Sequence, residues 1–356
     1  MTNDKSDMKP RCYRRIGLVV LSTFILHPSS FLLAQTHFVR LNSTNPVPPY
    51  SSWATAATNI QDAIDVATSG ALVLVSNGVY QTGGRKIGTQ SLTNRVAITN
   101  LITVQSVNGP AFTTIRGARD PLTTNGAAAV RGVQFTTNGA LIGFTVTEGA
   151  TGGANTTTQI NHRGGGILCV AGSVVSNCVI TGNEAYFSGG GVQGGLIYRS
   201  TIQGNRAPSG GGARLGSPFG LLADCLVLGN VAANVGGGVH LGAAVNTLIV
   251  GNTAGGSGGG ASSTYLVNCT VVSNTAASGS GIFQGSAANS IIYFNSVSNY
   301  NGDVGFTNSC SFPLPTNGIG NIDSVPLFVN TNSGNYRLRF GSPGIDAGVN
   351  GAVLSS

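Results

Sequence analysis

The chain has 356 residues, of which 41% are hydrophobic, only 8% are charged and 54 are glycine. So much apolar content with so little charge excludes a disordered chain, and the length is enough for one large domain built of repeats. The net charge of +7 is small, and five of the basic side chains fall within residues 1–34, so the balance makes no case for nucleic acid.

Residues 1–34 read as a secretory signal peptide. Arg11, Arg14 and Arg15 form the positive region, Ile16 to Leu26 the apolar core, and Leu32-Leu33-Ala34 a small-residue cleavage site. The apolar core is too short to span a bilayer, and no later stretch is apolar enough to do so. The mature chain is therefore expected to be secreted or held at the cell surface. Cys12 leaves with the leader. The five remaining cysteines, Cys169, Cys178, Cys225, Cys269 and Cys310, are odd in number and do not make a disulfide framework.

Residues 35–70 join an extended segment, rich in proline at Pro46, Pro48 and Pro49, to one short helix. Ile60, Ile64 and Ala67 share a helical face, Thr58 and Gln61 have capping-box spacing, and Ser69-Gly70 ends the helix. Ala71 to Val75 follows as a buried strand. A β-solenoid has an open end that must be covered, and this helix is the candidate cap.

Residues 71–325 carry a repeat. The clearest copies close on Asn183, Asn205, Asn230, Asn252, Asn274 and Asn295, spaced 22, 25, 22, 22 and 21 residues apart, and five of them are followed by a glycine cluster. Within a copy, apolar residues alternate as in a strand with one buried face. A period near 22 suits a coil of two or three short strands. The fold class is all-β, a right-handed parallel β-helix with a short N-terminal capping helix. Equivalent positions then stack into columns. The asparagines form one amide ladder. Cys178, Ser200, Cys225, Thr247, Cys269 and Ser290 form another column, in which cysteines two coils apart are too distant for disulfides and serve as small buried thiols.

Earlier copies are less regular. Residues 95–116 read as one coil through Val96, Ile98, Leu101, Ile102, Val104, Thr114 and Ile115, and Arg119 to Arg131 as an excursion. In Leu141 to Gly149, Phe144 falls in the cysteine column and Gly149 in the asparagine column. Ala150 to Arg163 is an insertion of about nine residues relative to later coils, and insertions on a solenoid gather on one side, where binding happens. Residues 326–356 form a closing segment.

Three features resemble known families. Ile60-Gln61-Asp62-Ala63-Ile64 through Gly78-Val79-Tyr80 resembles the opening segment of secreted right-handed β-helix proteins of the pectin-lyase-like superfamily. The Asn and Gly-Gly-Gly repeats look like those of bacterial surface proteins, including polymorphic outer-membrane proteins. Tyr336-Arg337-Leu338-Arg339 and Ser342-Pro343-Gly344-Ile345-Asp346-Ala347-Gly348 resemble the closing motif of the choice-of-anchor Q group. The resemblance implies the fold and leaves activity open, because one scaffold hosts many functions.

Charged residues are few enough to place on the template. Glu184 and Arg206 each follow the ladder asparagine on adjacent coils and are expected to stack as an exposed ion pair; Arg199 and Asp224 share another column. Glu148, one residue before the asparagine column, joins Glu184 and Arg206, with His162 or Arg163 nearby, as the candidate catalytic constellation, since two carboxylates several ångströms apart can act on a glycosidic bond. Gln193, Arg214, His240 and Ser262 form an outward row that could bind an anionic sugar. No metal-ligand spacing, nucleophile motif or phosphate loop is present, and no cofactor is called for.

Two functions follow. The first is a secreted or surface β-helix that binds carbohydrate, adheres or acts as a structural stalk. The alternative is a pectate-lyase-like or other polysaccharide-degrading enzyme. The resemblance implies that such a lyase needs several acidic residues holding Ca²⁺ and a basic residue for proton removal. Between Leu141 and Tyr300 only Glu148, Glu184 and Asp224 are acidic, which weighs against it.

Overall fold

The alternation of apolar residues within each copy places one side chain per short strand inward, and three such strands close each coil. In the copy that ends on Asn205, Val192, Ile197 and Ile202 are fully buried. They pair in parallel register with Ala213, Leu222 and Val227 of the next coil. Each buried aliphatic side chain of this kind contributes roughly 1.5–3 kcal/mol relative to exposure. The computed structural model describes residues 35–154, 159–216 and 220–350. Among these, the strands form an 18-stranded sheet covering two faces, a 10-stranded sheet on a third, and a 3-stranded sheet over Arg206–Ser209, Val231–Val235 and Thr253–Ala254. Every ladder between successive coils named here is parallel, so the architecture is an all-β parallel solenoid.

The corners are made by backbone in the left-handed region. One corner column holds Asn177, Arg199, Asp224, Asn246, Asn268 and Asn289, all with φ between 45° and 55°. The next holds Gly182, Gly204, Gly229 and Gly251, with φ between 58° and 66°, where glycine carries no Cβ penalty. The asparagine that follows is buried at each corner. Asn183 donates from Nδ2 to Asn205 Oδ1 at 3.0 Å, and the same bond repeats to Asn230, Asn252, Asn274 and Asn295. Each Oδ1 also accepts the backbone N–H of the preceding asparagine. Each Nδ2 reaches a strand carbonyl as well, such as Ile180 O for Asn205 at 2.9 Å. Gly149 N–H donates to Asn183 Oδ1 at 2.8 Å, so Gly149 occupies the column expected for it.

The thiol column also forms. Cys178, Cys225 and Cys269 are buried and free, and they alternate with hydroxyls that accept the cysteine backbone N–H, as Ser200 does from Cys178 at 3.1 Å and Ser290 from Cys269 at 3.0 Å. Burial pushes the Cys178 and Cys225 thiols up to about 11 and Cys269 to about 12, so they stay protonated at neutral pH.

At the N-terminal end, Thr36–Val39 is the first strand of the large sheet, paired with Leu72–Val75. The helix spans Ile60–Val66 and buries Ile60, Ala63 and Ile64 against the core. Its N-cap differs from the expected Thr58: Asn59 accepts the Asp62 N–H at 3.0 Å. Gln61 is thereby freed to cap the neighbouring strand, accepting Ala97 N–H at 2.7 Å and donating to Ala97 O at 3.3 Å. One amide thus satisfies a strand edge that would otherwise lie unpaired under the helix. The closing segment packs along the solenoid wall. Phe328–Asn330 and Asn335–Leu338 form an antiparallel hairpin, and Asn289 exchanges two hydrogen bonds with Val349, at 2.8 and 3.1 Å. The expected signal peptide lies outside the described residues.

Asn230→Ala strands the amide and backbone N–H of Asn205 in the core and is expected to cost about 3 kcal/mol. The urea midpoint of the variant measures this, and a loss below about 1 kcal/mol would contradict the ladder's weight.

Candidate functional site

Three positions on the wall gather polar chemistry. The first begins where the strand Thr113–Arg116 ends and the chain leaves the coil. Ala118 and Val130 exchange backbone hydrogen bonds at 3.0 and 2.8 Å, which closes the excursion into a loop. Asp120 shapes its tip. Its carboxylate accepts the N–H groups of Leu122 and Ala128 at 3.0 Å and of Thr123 at 3.2 Å. The Ala128 and Leu122 bonds hold its pKa below the ordinary carboxylate value. Asn125 ties the loop to the wall: its Oδ1 accepts from Thr151 N and Oγ1, and its Nδ2 donates to Glu184 Oε1 at 3.3 Å. Between loop and wall lies a groove of about 740 Å³. Glu184 and Arg206 lie in it with Tyr186, Leu122, Pro208 and Val231. Tyr186 is 43% exposed and Leu122 92%.

The second position is a hollow of about 760 Å³ on the other side of the same corner. Gln81, Arg95, Arg116, Arg119 and Glu148 line it. Glu148 occupies a left-handed position, φ 54°, in the column that later coils give to glycine. Its carboxylate takes Arg116 in a fork, with Nε at 2.9 Å and Nη2 at 2.5 Å. That hydrogen bonding to Arg116 holds the Glu148 pKa below the usual range. Arg95 donates from Nε to Arg116 O at 2.8 Å and from Nη1 to Gly83 O. Arg119 donates to Gly182 O at 3.1 Å.

The third position is the row Gln193, Arg214, His240 and Ser262, which pair in register as expected. Ser262 is buried, so the row faces solvent only in part. His240 Nδ1 lies 2.5 Å from Ser209 Oγ. Burial and the charge of Arg214 push His240 down to about 4, leaving it neutral at pH 7. Arg163 stands 5.4 Å over the Phe187 ring, and His162 packs edge-on to Tyr186 at 5.3 Å.

The expected constellation is divided. Glu148 faces the arginine hollow, whereas Glu184 and Arg206 face the groove, because the buried asparagine corner lies between positions 148 and 184. Glu184 and Arg206 are bridge partners through the backbone but make no ion pair; Glu184 turns to Asn125 instead. Arg199 and Asp224 make none either, and Asp224 accepts from Asn246 at 3.1 Å. Among the described residues the ion pairs are Arg116–Glu148 and Arg85–Asp65.

Sequence reasoning missed Arg131. It is fully buried without a carboxylate partner and donates to Gly164 O, Asn94 Oδ1, Gln134 Oε1, Ile160 O and Arg163 O at 2.7–2.9 Å. Burial pushes it down to about 9, still charged at pH 7. Two of those carbonyls belong to the Ala150–Arg163 insertion, so Arg131 pins that insertion beside the groove. Residues 155–158 of the insertion lie outside the described residues. The missed signal is a lone arginine inside the apolar strand Val130–Phe135.

No protein-family model matches the chain, and no curated protein matches its sequence. Solved structures do. Pectate lyase Pel9A aligns at a TM-score of 0.53 and 12% identity, over 86% of this chain and 90% of its own. Pectin methylesterase PemA from Erwinia chrysanthemi aligns at 0.33 and 12% identity, over 82% of each chain. The first likeness, with the parallel ladders above, gives a parallel β-helix fold like that of this pectate lyase; at this identity it concerns fold alone.

Arg131→Met leaves three backbone carbonyls without their charged donor. It is expected to cost about 3 kcal/mol or more and to speed proteolytic cleavage within 150–163. An unchanged melting temperature and cleavage rate would contradict the pinning role.

Proposed function

We propose that the chain is an extracellular carbohydrate-binding β-helix and that a polysaccharide lies in the groove between the 119–131 loop and the wall. The observation that carries this reading is Tyr186, an exposed aromatic ring in a groove already formed, with Glu184, Asn125 and Arg206 around it. Sugars offer apolar C–H faces and ring hydroxyls. An amphipathic ring beside planar polar groups meets both.

Binding is favoured over catalysis because the carboxylates that could partner Glu184 are committed elsewhere. Asp120 and Glu184 share the groove, as an acid–base pair would require. Yet Asp120 spends its oxygens on its own loop, and the bonds that lower its pKa oppose a general acid. The calcium of a lyase does not fit either. Calcium takes six to eight oxygens, with carboxylates prominent, while Glu148 is forked by Arg116 and no three acidic, histidine or cysteine side chains converge among the described residues.

Calorimetric titration of the mature chain with neutral and acidic oligosaccharides tests the reading. Tyr186→Ala is expected to weaken binding about tenfold, roughly 1.4 kcal/mol, and Glu184→Gln less. Equal affinity in Tyr186→Ala removes the groove as the site. Bond cleavage that Glu184→Gln abolishes overturns the non-catalytic reading.

A further inference from the structure

The hollow lined by Arg95, Arg116, Arg119 and Glu148 has three guanidinium groups against one carboxylate, in a chain of which only 8% is charged. We infer that this hollow is an oxyanion site, taking the carboxylates or sulfate esters carried by an acidic glycan. It lies across the corner from the groove and extends the carbohydrate reading, on which the source of the oxyanion rests.

The argument is one of unbalanced charge held in place. Arg116 is used by Glu148, and Arg95 and Arg119 have no carboxylate partner among the described residues. Gathering like charges costs energy unless an anion balances them. Each guanidinium is also fixed before any ligand arrives. Glu148 and Gln81 hold Arg116, backbone carbonyls of Arg116 and Gly83 hold Arg95, and the Gly182 carbonyl holds Arg119. A fork already ordered loses less entropy when it binds. Donors remain, because each guanidinium has five N–H groups and these bonds use no more than three. The site is open, since the Arg116 and Glu148 side chains are 42% and 44% exposed. Arg95 is partly buried, and that burial lowers its pKa. The net excess of two positive charges fits two monoanionic groups on successive sugars.

The Glu148–Arg116 fork is part of the design. Glu148 sets the Arg116 plane and leaves its outer edge to the ligand, so Glu148 is a positioning residue. Its left-handed backbone, at a position otherwise given to glycine, aims the carboxylate toward the preceding coil, where Arg116 stands.

The test titrates oligogalacturonate, which carries carboxylates only, dextran sulfate oligomers, which carry sulfate esters only, and neutral dextran oligomers. Wild type, Arg119→Gln and Arg339→Gln are compared, the last removing an equal charge from an exposed position in the closing segment. Arg119→Gln is expected to lose about tenfold in affinity for the polyanion and Arg339→Gln to stay within twofold. Glu148→Gln, which frees Arg116 from its fork, is expected to change the preference between carboxylate and sulfate as well as the affinity. The polyanion that binds identifies the source. Binding of neither, or equal losses in Arg119→Gln and Arg339→Gln, overturns the site. Neutral oligosaccharides read the groove separately: their binding kept while polyanion binding fails sinks the oxyanion site alone, and the reverse sinks the groove alone.

Discussion

The column of buried asparagine amides is the constraint on which the wall depends. Each side chain sits at a corner where the backbone turns through a left-handed residue and strand pairing is interrupted. The peptide groups there would otherwise be buried without partners. One amide serves the backbone N–H before it, a carbonyl of the preceding coil, and the next amide. An apolar residue of the same size would fill the space and satisfy none of these. The glycine clusters answer a related demand. A Cβ at Gly191 would lie 2.6 Å from the Gly212 carbonyl oxygen, so coils can stack at strand distance only without it.

The same corner divides the polar chemistry. Residues before the ladder asparagine point to the 10-stranded sheet and residues after it to the 3-stranded one. Glu148 and Glu184, neighbours on a template, therefore line different hollows. The 119–131 loop springs from this divide. Arg119 turns to one side, and Asp120 and Asn125 to the other, so one loop forms the rim of both hollows. Arg131 then anchors the insertion that follows the next coil, with a charge the protein keeps fully buried.

What was legible in the sequence is what local sterics and stacking dictate. The asparagine and thiol columns, the place of Phe144 and Gly149, and the row from Gln193 to Ser262 all come from a repeat that forces register. The capping helix was legible from its apolar spacing, though its cap fell on Asn59, since a capping box reads Gln61 as a helix partner and cannot show that it faces strand Thr93–Ile98. The arginine hollow was not legible. Arg95 and Arg116 lie in a coil without the asparagine and glycine marks, so nothing in the sequence aligns Arg116 with Glu148, which lies 32 residues away. The groove was half legible: the repeat placed Glu184 and Arg206 side by side on adjacent coils, but its second wall depends on how a loop folds back, and loop closure leaves no periodic trace.

Native-state hydrogen exchange across the chain is the most direct test of the amide column as the support of the wall. The backbone N–H groups of Asn205, Asn230, Asn252 and Asn274 should exchange only with global unfolding, at one shared free energy, while amides of the 119–131 loop exchange sooner. Ladder amides that exchange as fast as the loop, or coil by coil at unrelated free energies, would contradict it.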